Sequence, residues 1–199
     1  HPLSSLSCTT LLLASALLTG CGLEAEQAIE QTTGSPQTAL STAASAREIS
    51  LTTATGTITD IAAGLFTSCG LAGGTAYCWG SDVWGEVGSS SVSTGKTMVP
   101  VVVDAMTTLG SSLSAAENTT CLVRNGAMWC WGKNFSGQLG NNISGDGNFS
   151  GTATEVVVDR SGCTNISAGF GFTCGVVSGA AKCWGTNANG QLGDGTMVD

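Results

Sequence analysis

The sequence predicts an all-β repeat protein, and three observations carry that prediction. A unit of about 52 residues recurs three times, each copy holds two cysteines nine residues apart around a turn pair, and no part of the unit shows a helical apolar period. The copies read IAAGLFTSCGLAGGTAYCWGSDVWGEVG from Ile61, LSAAENTTCLVRNGAMWCWGKNFSGQLG from Leu113 and ISAGFGFTCGVVSGAAKCWGTNANGQLG from Ile166. Twenty-nine glycines against three prolines, with 42% hydrophobic residues, suit short strands joined by tight turns rather than disorder.

Within each copy, the segment between the cysteines centres on Gly73-Gly74, Asn125-Gly126 or Ser178-Gly179. These are residues that a two-residue hairpin turn requires for positive φ. With the turn at that place, the first cysteine lies opposite the second. Pairs alternate outward from the hydrogen-bonded pair that flanks the turn, so the cysteines fall on a non-hydrogen-bonded site. Cα atoms there are about 4.5 Å apart, within disulfide range. The spacing therefore predicts Cys69–Cys78, Cys121–Cys130 and Cys174–Cys183 as bridges within single hairpins. Chain entropy gives each an upper worth of about 2.5–3 kcal/mol. Zinc would need cysteines two to four residues apart, often with histidine, and neither feature occurs in the repeats. Cys163 has no counterpart in the other copies. The repeated runs VPVVVD (99–104) and TEVVVD (154–159) are β-branched and continuous, and read as strands buried on both faces.

Composition excludes several function classes. Fourteen acidic against six basic residues give a formal charge of −8, which cannot present the positive field that nucleic acid requires. The single histidine is His1, so the repeats hold no imidazole base, no Ser-His-Asp triad and no histidine metal ligand. Asp82 and Glu86 could form a carboxylate couple, yet they lie on an inter-strand loop without a partner cluster. The oxygen-rich loop 141–148 matches no calcium-loop spacing. No catalytic, cofactor-binding or metal-binding residue is assigned, and an enzyme is not expected. Trp84 and Trp129 lack equivalents in the other copies and are the candidate contact residues.

The N-terminal fifty residues differ in kind. Residues 11–18 (LLLASALL) form an apolar run too short to span a bilayer, followed by Leu18-Thr19-Gly20-Cys21. This stretch resembles the bacterial lipoprotein signal family. The resemblance implies a signal peptide over 1–20, a lipidated N-terminus at Cys21, and, with Gly22 next, the outer membrane of the cell envelope. One departure is that residues 1–10 carry no Lys or Arg and no initiating Met. Residues 21–50 are rich in Ala, Thr, Ser, Gln and Glu and lack aromatics, and read as a flexible tether with a reach of roughly 30 Å. Repeats then occupy 51–199, divided at 51–109, 110–162 and 163–199.

The segments CWGTNANGQLGDGT and CWGKNFSGQLGN, each with Trp-Gly, four residues, Gly and then Gln-Leu-Gly, resemble the repeat of the regulator of chromosome condensation family. Copies two and three keep Gln138-Leu139 and Gln191-Leu192, whereas copy one has Glu86-Val87. The likeness covers about 58–199. It implies a β-propeller of four-stranded blades, about three of which are present here. A seven-bladed ring would need roughly 360 residues, so the chain is expected to be an N-terminal fragment of one. Trp79, Trp131 and Trp184 are expected to pack between blades. The cysteine-bearing version is similar to secreted bacterial members. The expected function is a non-enzymatic, membrane-anchored scaffold binding a protein or a surface polymer. Partners would be an envelope or extracellular molecule, not nucleic acid, with the membrane engaged only through the lipid anchor. The alternatives are guanine-nucleotide exchange on a small GTPase, which the family implies, and a secreted polysaccharide-active enzyme.

Overall fold

In the computed structural model the described residues are 57–157 and 160–199, all within one compact unit, Leu51–Asp199. The signal segment, Cys21, the tether, Val158 and Asp159 lie outside them. No helix occurs among the described residues; eleven strands form three antiparallel sheets. The first holds β1 (Ile58–Ala63), β2 (Thr67–Ala72), β3 (Thr75–Ser81) and β4 (Lys96–Val102) in chain order. The second holds β5 (Gly110–Ala116), β6 (Thr119–Arg124), β7 (Ala127–Lys133) and β8 (Phe149–Glu155). The third holds β9 (Cys163–Ala168), β10 (Phe172–Val177) and β11 (Ala180–Gly185). Up-and-down sheets repeated side by side are the architecture of a β-propeller, here in part.

Each central hairpin turns where the sequence places it. Gly73 and Gly74 have φ of 56° and 78°, Asn125 and Gly126 51° and 73°, and Ser178 and Gly179 50° and 83°. Two consecutive positive φ values give the turn whose twist matches the flanking strands. The register then sets Cys69 opposite Cys78, Cys121 opposite Cys130 and Cys174 opposite Cys183. All three pairs are disulfides with Cα atoms 4.1 Å apart. Cys163 stands outside these bridges, buried at the start of β9, with its thiol 3.9 Å from Ser161 O.

First strands of successive sheets lie against each other, so β1, β5 and β9 are innermost and β4 and β8 outermost. Two polar contacts join the inner strands: Leu113 N donates to Asp60 Oδ2 at 2.9 Å, and Ala168 N to Ser114 Oγ at 2.9 Å. Two apolar cores fill the joints. Leu71, Val87, Val103 and Met106 of the first repeat meet Leu113, Leu122 and Trp131 of the second. Val123, Met128, Leu139 and Val156 of the second meet Cys163, Ile166 and Val177 of the third.

The valine runs require correction. β4 stops at Val102 and is half-buried or exposed along its length, with Val99 62% exposed. β8 stops at Glu155. These strands are the outer edges of their sheets, so they are not covered on both faces. Among the described residues of these runs only Val103 and Val156, just past the strand ends, are fully buried. There they plug the joints, their amides donating to Ala76 O at 3.0 Å and Met128 O at 2.9 Å.

The repeated Trp-Gly and Gly-x-x-Gly positions form the joint itself. Trp131 is fully buried and its Nε1 donates to Glu86 O of the preceding repeat at 2.8 Å; Trp184 Nε1 donates to Gln138 O at 2.9 Å. The same carbonyls accept Thr120 Oγ1 at 3.2 Å and Thr173 Oγ1 at 2.9 Å. The indole needs room: a Cβ on Gly88 would lie 2.7 Å from Trp131 Nε1, and one on Gly140 2.8 Å from Trp184 Nε1. Gly132, with φ of 97°, lets β7 run against the preceding turn, where a Cβ would collide with Asn118 O and where Lys133 N donates to that same oxygen at 2.8 Å. Trp79, on the outer flank of the first sheet, is only half-buried.

Candidate functional site

Antiparallel order gives the arc two unlike ends. At one end lie the tight hairpins and the β4–β5 crossing. At the other lie the β1–β2, β5–β6 and β9–β10 turns together with the long loops that follow β3, β7 and β11. This loop end is where side chains not required by packing collect, as on scaffolds whose loops carry function.

Side-chain oxygens at repeated positions of the long loops brace the loops from within. Asn134 Oδ1 accepts from Leu139 N at 3.0 Å, and Asn187 Oδ1 from Leu192 N at 3.0 Å. Gln138 Oε1 accepts from Ser136 N at 2.9 Å, and Gln191 Oε1 from Asn189 N at 2.9 Å. The first repeat substitutes carboxylates in both roles. Asp82 Oδ1 accepts from Val87 N at 2.9 Å, and Glu86 Oε2 from Trp84 N at 2.7 Å. Burial raises both carboxyls above their ordinary range, partly offset by these backbone bonds, and the Asp82 charge adds to the rise at Glu86.

Trp84 is half-buried and bridges two repeats: its ring meets Phe135 edge-on at 5.2 Å and Phe149 at 6.2 Å. Trp129 is half-buried on β7 against the core of the first joint. Exposed apolar surface at the loop end comes from other residues. Phe66 is 69% exposed, Val83 64% and Met98 92%, and they line a groove of about 360 Å³ whose floor includes Gly80 and Gly95. Phe170, 74% exposed, sits on the equivalent turn of the third repeat. Their sequence signal is LFTS and GFGF before the first cysteine of a copy, where copy two has ENTT. That signal is short, and the repeat pattern masks it.

Charge at this end is mixed. Lys133 Nζ pairs with Glu117 Oε1 at 2.5 Å and stands 4.8 Å above the Phe135 ring. Asp194 is held below the ordinary carboxylate range, chiefly by the Thr196 backbone bond at 2.9 Å, closing a turn by itself. Among the described residues no group of three or more His, Cys, Asp or Glu side chains is arranged to hold a metal ion.

No family model matches the chain. It is 28% identical over 145 residues to the secretion-regulating guanine nucleotide exchange factor of Bos taurus, covering 63% of this chain and 30% of that protein. It is 28% identical over 124 residues to the E3 ubiquitin-protein ligase HERC2 of Homo sapiens, covering 61% of this chain and 2% of that one. Among solved structures, yeast RCC1 bound to Kap60 superposes with a TM-score of 0.62 at 18% identity, covering 71% of this chain and 35% of that one. Human WBSCR16 gives 0.63 at 15% identity, covering 71% and 39%. The chain thus spans about a third of the exchange factor's length and of each superposed structure's. These similarities support an RCC1-like repeat and place the fold as part of a propeller of that type.

Proposed function

We propose that the chain is a non-enzymatic binding scaffold, held at a bacterial envelope through Cys21, that docks an exported protein with the apolar groove of its first repeat. The observation that carries the reading is the groove itself. Phe66, Val83 and Met98 come from a turn, a loop and an outer strand, and none of them is needed for a core. Solvated apolar side chains converging on one concavity are the usual mark of a docking site. The complementary partner presents an apolar knob, and its binding would bury side chains that the scaffold alone leaves in water. Leu18-Thr19-Gly20-Cys21 supports the anchor, and three disulfides suit an oxidising compartment.

A photo-crosslinker at Met98 tests the docking reading in envelope extracts. The expected result is one specific adduct, lost on Phe66→Ser with the fold intact; an adduct pattern unchanged by that substitution refutes it. Palmitate labelling that survives Cys21→Ala removes the anchor. A second reading is guanine-nucleotide exchange, favoured by likeness to a protein of that name. Disulfides disfavour it, because small GTPases work in a reducing cytosol. Accelerated release of a fluorescent nucleotide from a small GTPase would establish it in place of the scaffold.

A further inference from the structure

The second joint opens a cleft at the loop end. In the first, Trp84 fills the space against Phe135 and Phe149; the equivalent position in the second repeat is Ser136. What remains is a cleft of about 550 Å³ between Phe135, Ser136 and Gln138 on one side and Phe170, Phe172 and Asn189 on the other. That volume is within the range of about 300–1,000 Å³ found for small-ligand sites.

Three features define what would fit. Gln138 is 1% exposed and its Oε1 is taken by Ser136 N, while no acceptor among the described residues meets its Nε2. No buried side-chain nitrogen or oxygen among them goes without a partner, so Nε2 keeps access to solvent, and the cavity that Gln138 lines is this cleft. A donor left free by the loop can give a hydrogen bond to an acceptor on an occupant of the cleft. Next, the cation position is already filled: Lys133 pairs with Glu117 and covers Phe135. A cationic occupant would compete with Lys133, and an anionic one would face Glu117 and Asp146 at the rim. Last, Phe172 and Phe170 give the third repeat's wall an apolar, flat face. Phe172 packs on Gly169, where a Cβ would overlap its ring.

We propose that this cleft binds a neutral pyranose unit of a glycan. A sugar ring lays its apolar C–H face on the phenylalanines, accepts from Gln138 Nε2 through one hydroxyl and donates to Asp146 or Asn189 through others, and it carries no net charge to oppose. The inference is independent of the apolar groove on the first repeat.

The test is calorimetric titration of the disulfide-bonded full chain with cellohexaose, mannohexaose and hexa-N-acetylchitohexaose. At least one should bind with a Kd in the micromolar to millimolar range. Phe170→Ala removes an exposed ring, and Gln138→Glu keeps the loop bond as Glu86 does in the first repeat while deleting the donor. Each should weaken binding about tenfold or more, equivalent to about 1.4 kcal/mol, whereas Phe66→Ala should leave it unchanged. Absence of binding by all three oligosaccharides at millimolar concentration overturns the proposal. So does binding that both cleft variants retain, or stronger capture at this cleft of oligogalacturonate or an arginine-rich peptide.

Discussion

Replacing the same tryptophan in each repeat by phenylalanine separates the joint from everything else the repeats share. In Trp131→Phe the lost Nε1–H had donated to Glu86 O at 2.8 Å in a fully buried joint. Glu86 O keeps Thr120 Oγ1 at 3.2 Å, so the carbonyl is not orphaned. The hydrogen-bond loss should therefore stay near its net worth of about 1 kcal/mol. The smaller ring leaves part of the indole volume empty against Gly88 and Val103, adding about 1–2 kcal/mol. Trp131→Phe should thus cost about 2–3 kcal/mol. Trp184→Phe breaks a bond of the same kind at 2.9 Å but from a half-buried ring, and should cost about 1–2 kcal/mol. Trp79→Phe, on the outer flank, should cost about 0.5–1 kcal/mol, mainly for apolar area. Urea unfolding of the disulfide-bonded chain, followed by far-UV circular dichroism with m-values compared, reads all three. Equal losses, or the largest loss at Trp79, would refute the joint as the source of the motif.

Three further outcomes follow from the same geometry. Glu86→Gln restores the residue of the other two repeats. Burial holds the folded Glu86 carboxyl above its ordinary value of 4.5, so its contribution to stability is complete below that value and is lost as pH rises through the folded one. The variant should therefore be more stable than the parent near neutral pH and indistinguishable from it in acid; thermal melts across pH 3–8 check this, and a gain confined to acid would contradict it. Gly140→Ala should cost about 2–4 kcal/mol, because its Cβ would lie 2.8 Å from both Trp184 Nε1 and Val156 Cγ1 at a φ of 64°. Gly193→Ala, at a φ of 71° with nothing within 4 Å, should cost only about 1 kcal/mol of backbone strain, and the two melting curves decide between them. Removing Cys121 and Cys130 together should cost at most about 3 kcal/mol, since the bridge closes a short hairpin already held by its turn.

Features that depend on near neighbours were legible in the chain. The Asn125-Gly126 turn and the nine-residue cysteine spacing together dictate register, and register dictates the bridge. Features that depend on the adjacent repeat were not. Nothing local distinguishes a valine run buried on both faces from an outer strand that ends in a buried plug, so Val103 and Val156 were legible as apolar but not as joint residues. Trp84 stood out for lacking equivalents, but its role depends on Phe135 and Phe149, both contributed by the next repeat. The 550 Å³ cleft is lined by Ser136, at the position Trp84 holds in the first repeat, a difference with meaning only once two repeats are set side by side. Gln138 reads in sequence as part of a family motif. The structure shows that its side-chain oxygen serves the loop, its main-chain oxygen serves the next repeat, and its amide nitrogen serves neither.

The account rests on each repeat being a sheet closed on itself by sulfur before it meets its neighbour. Peptide mapping of the chain, oxidised and without reduction, examines this directly. It should return Cys69 with Cys78, Cys121 with Cys130 and Cys174 with Cys183, each pair within one proteolytic fragment set. Linkage of any of these six to a cysteine of another repeat, or their recovery as thiols, would contradict it.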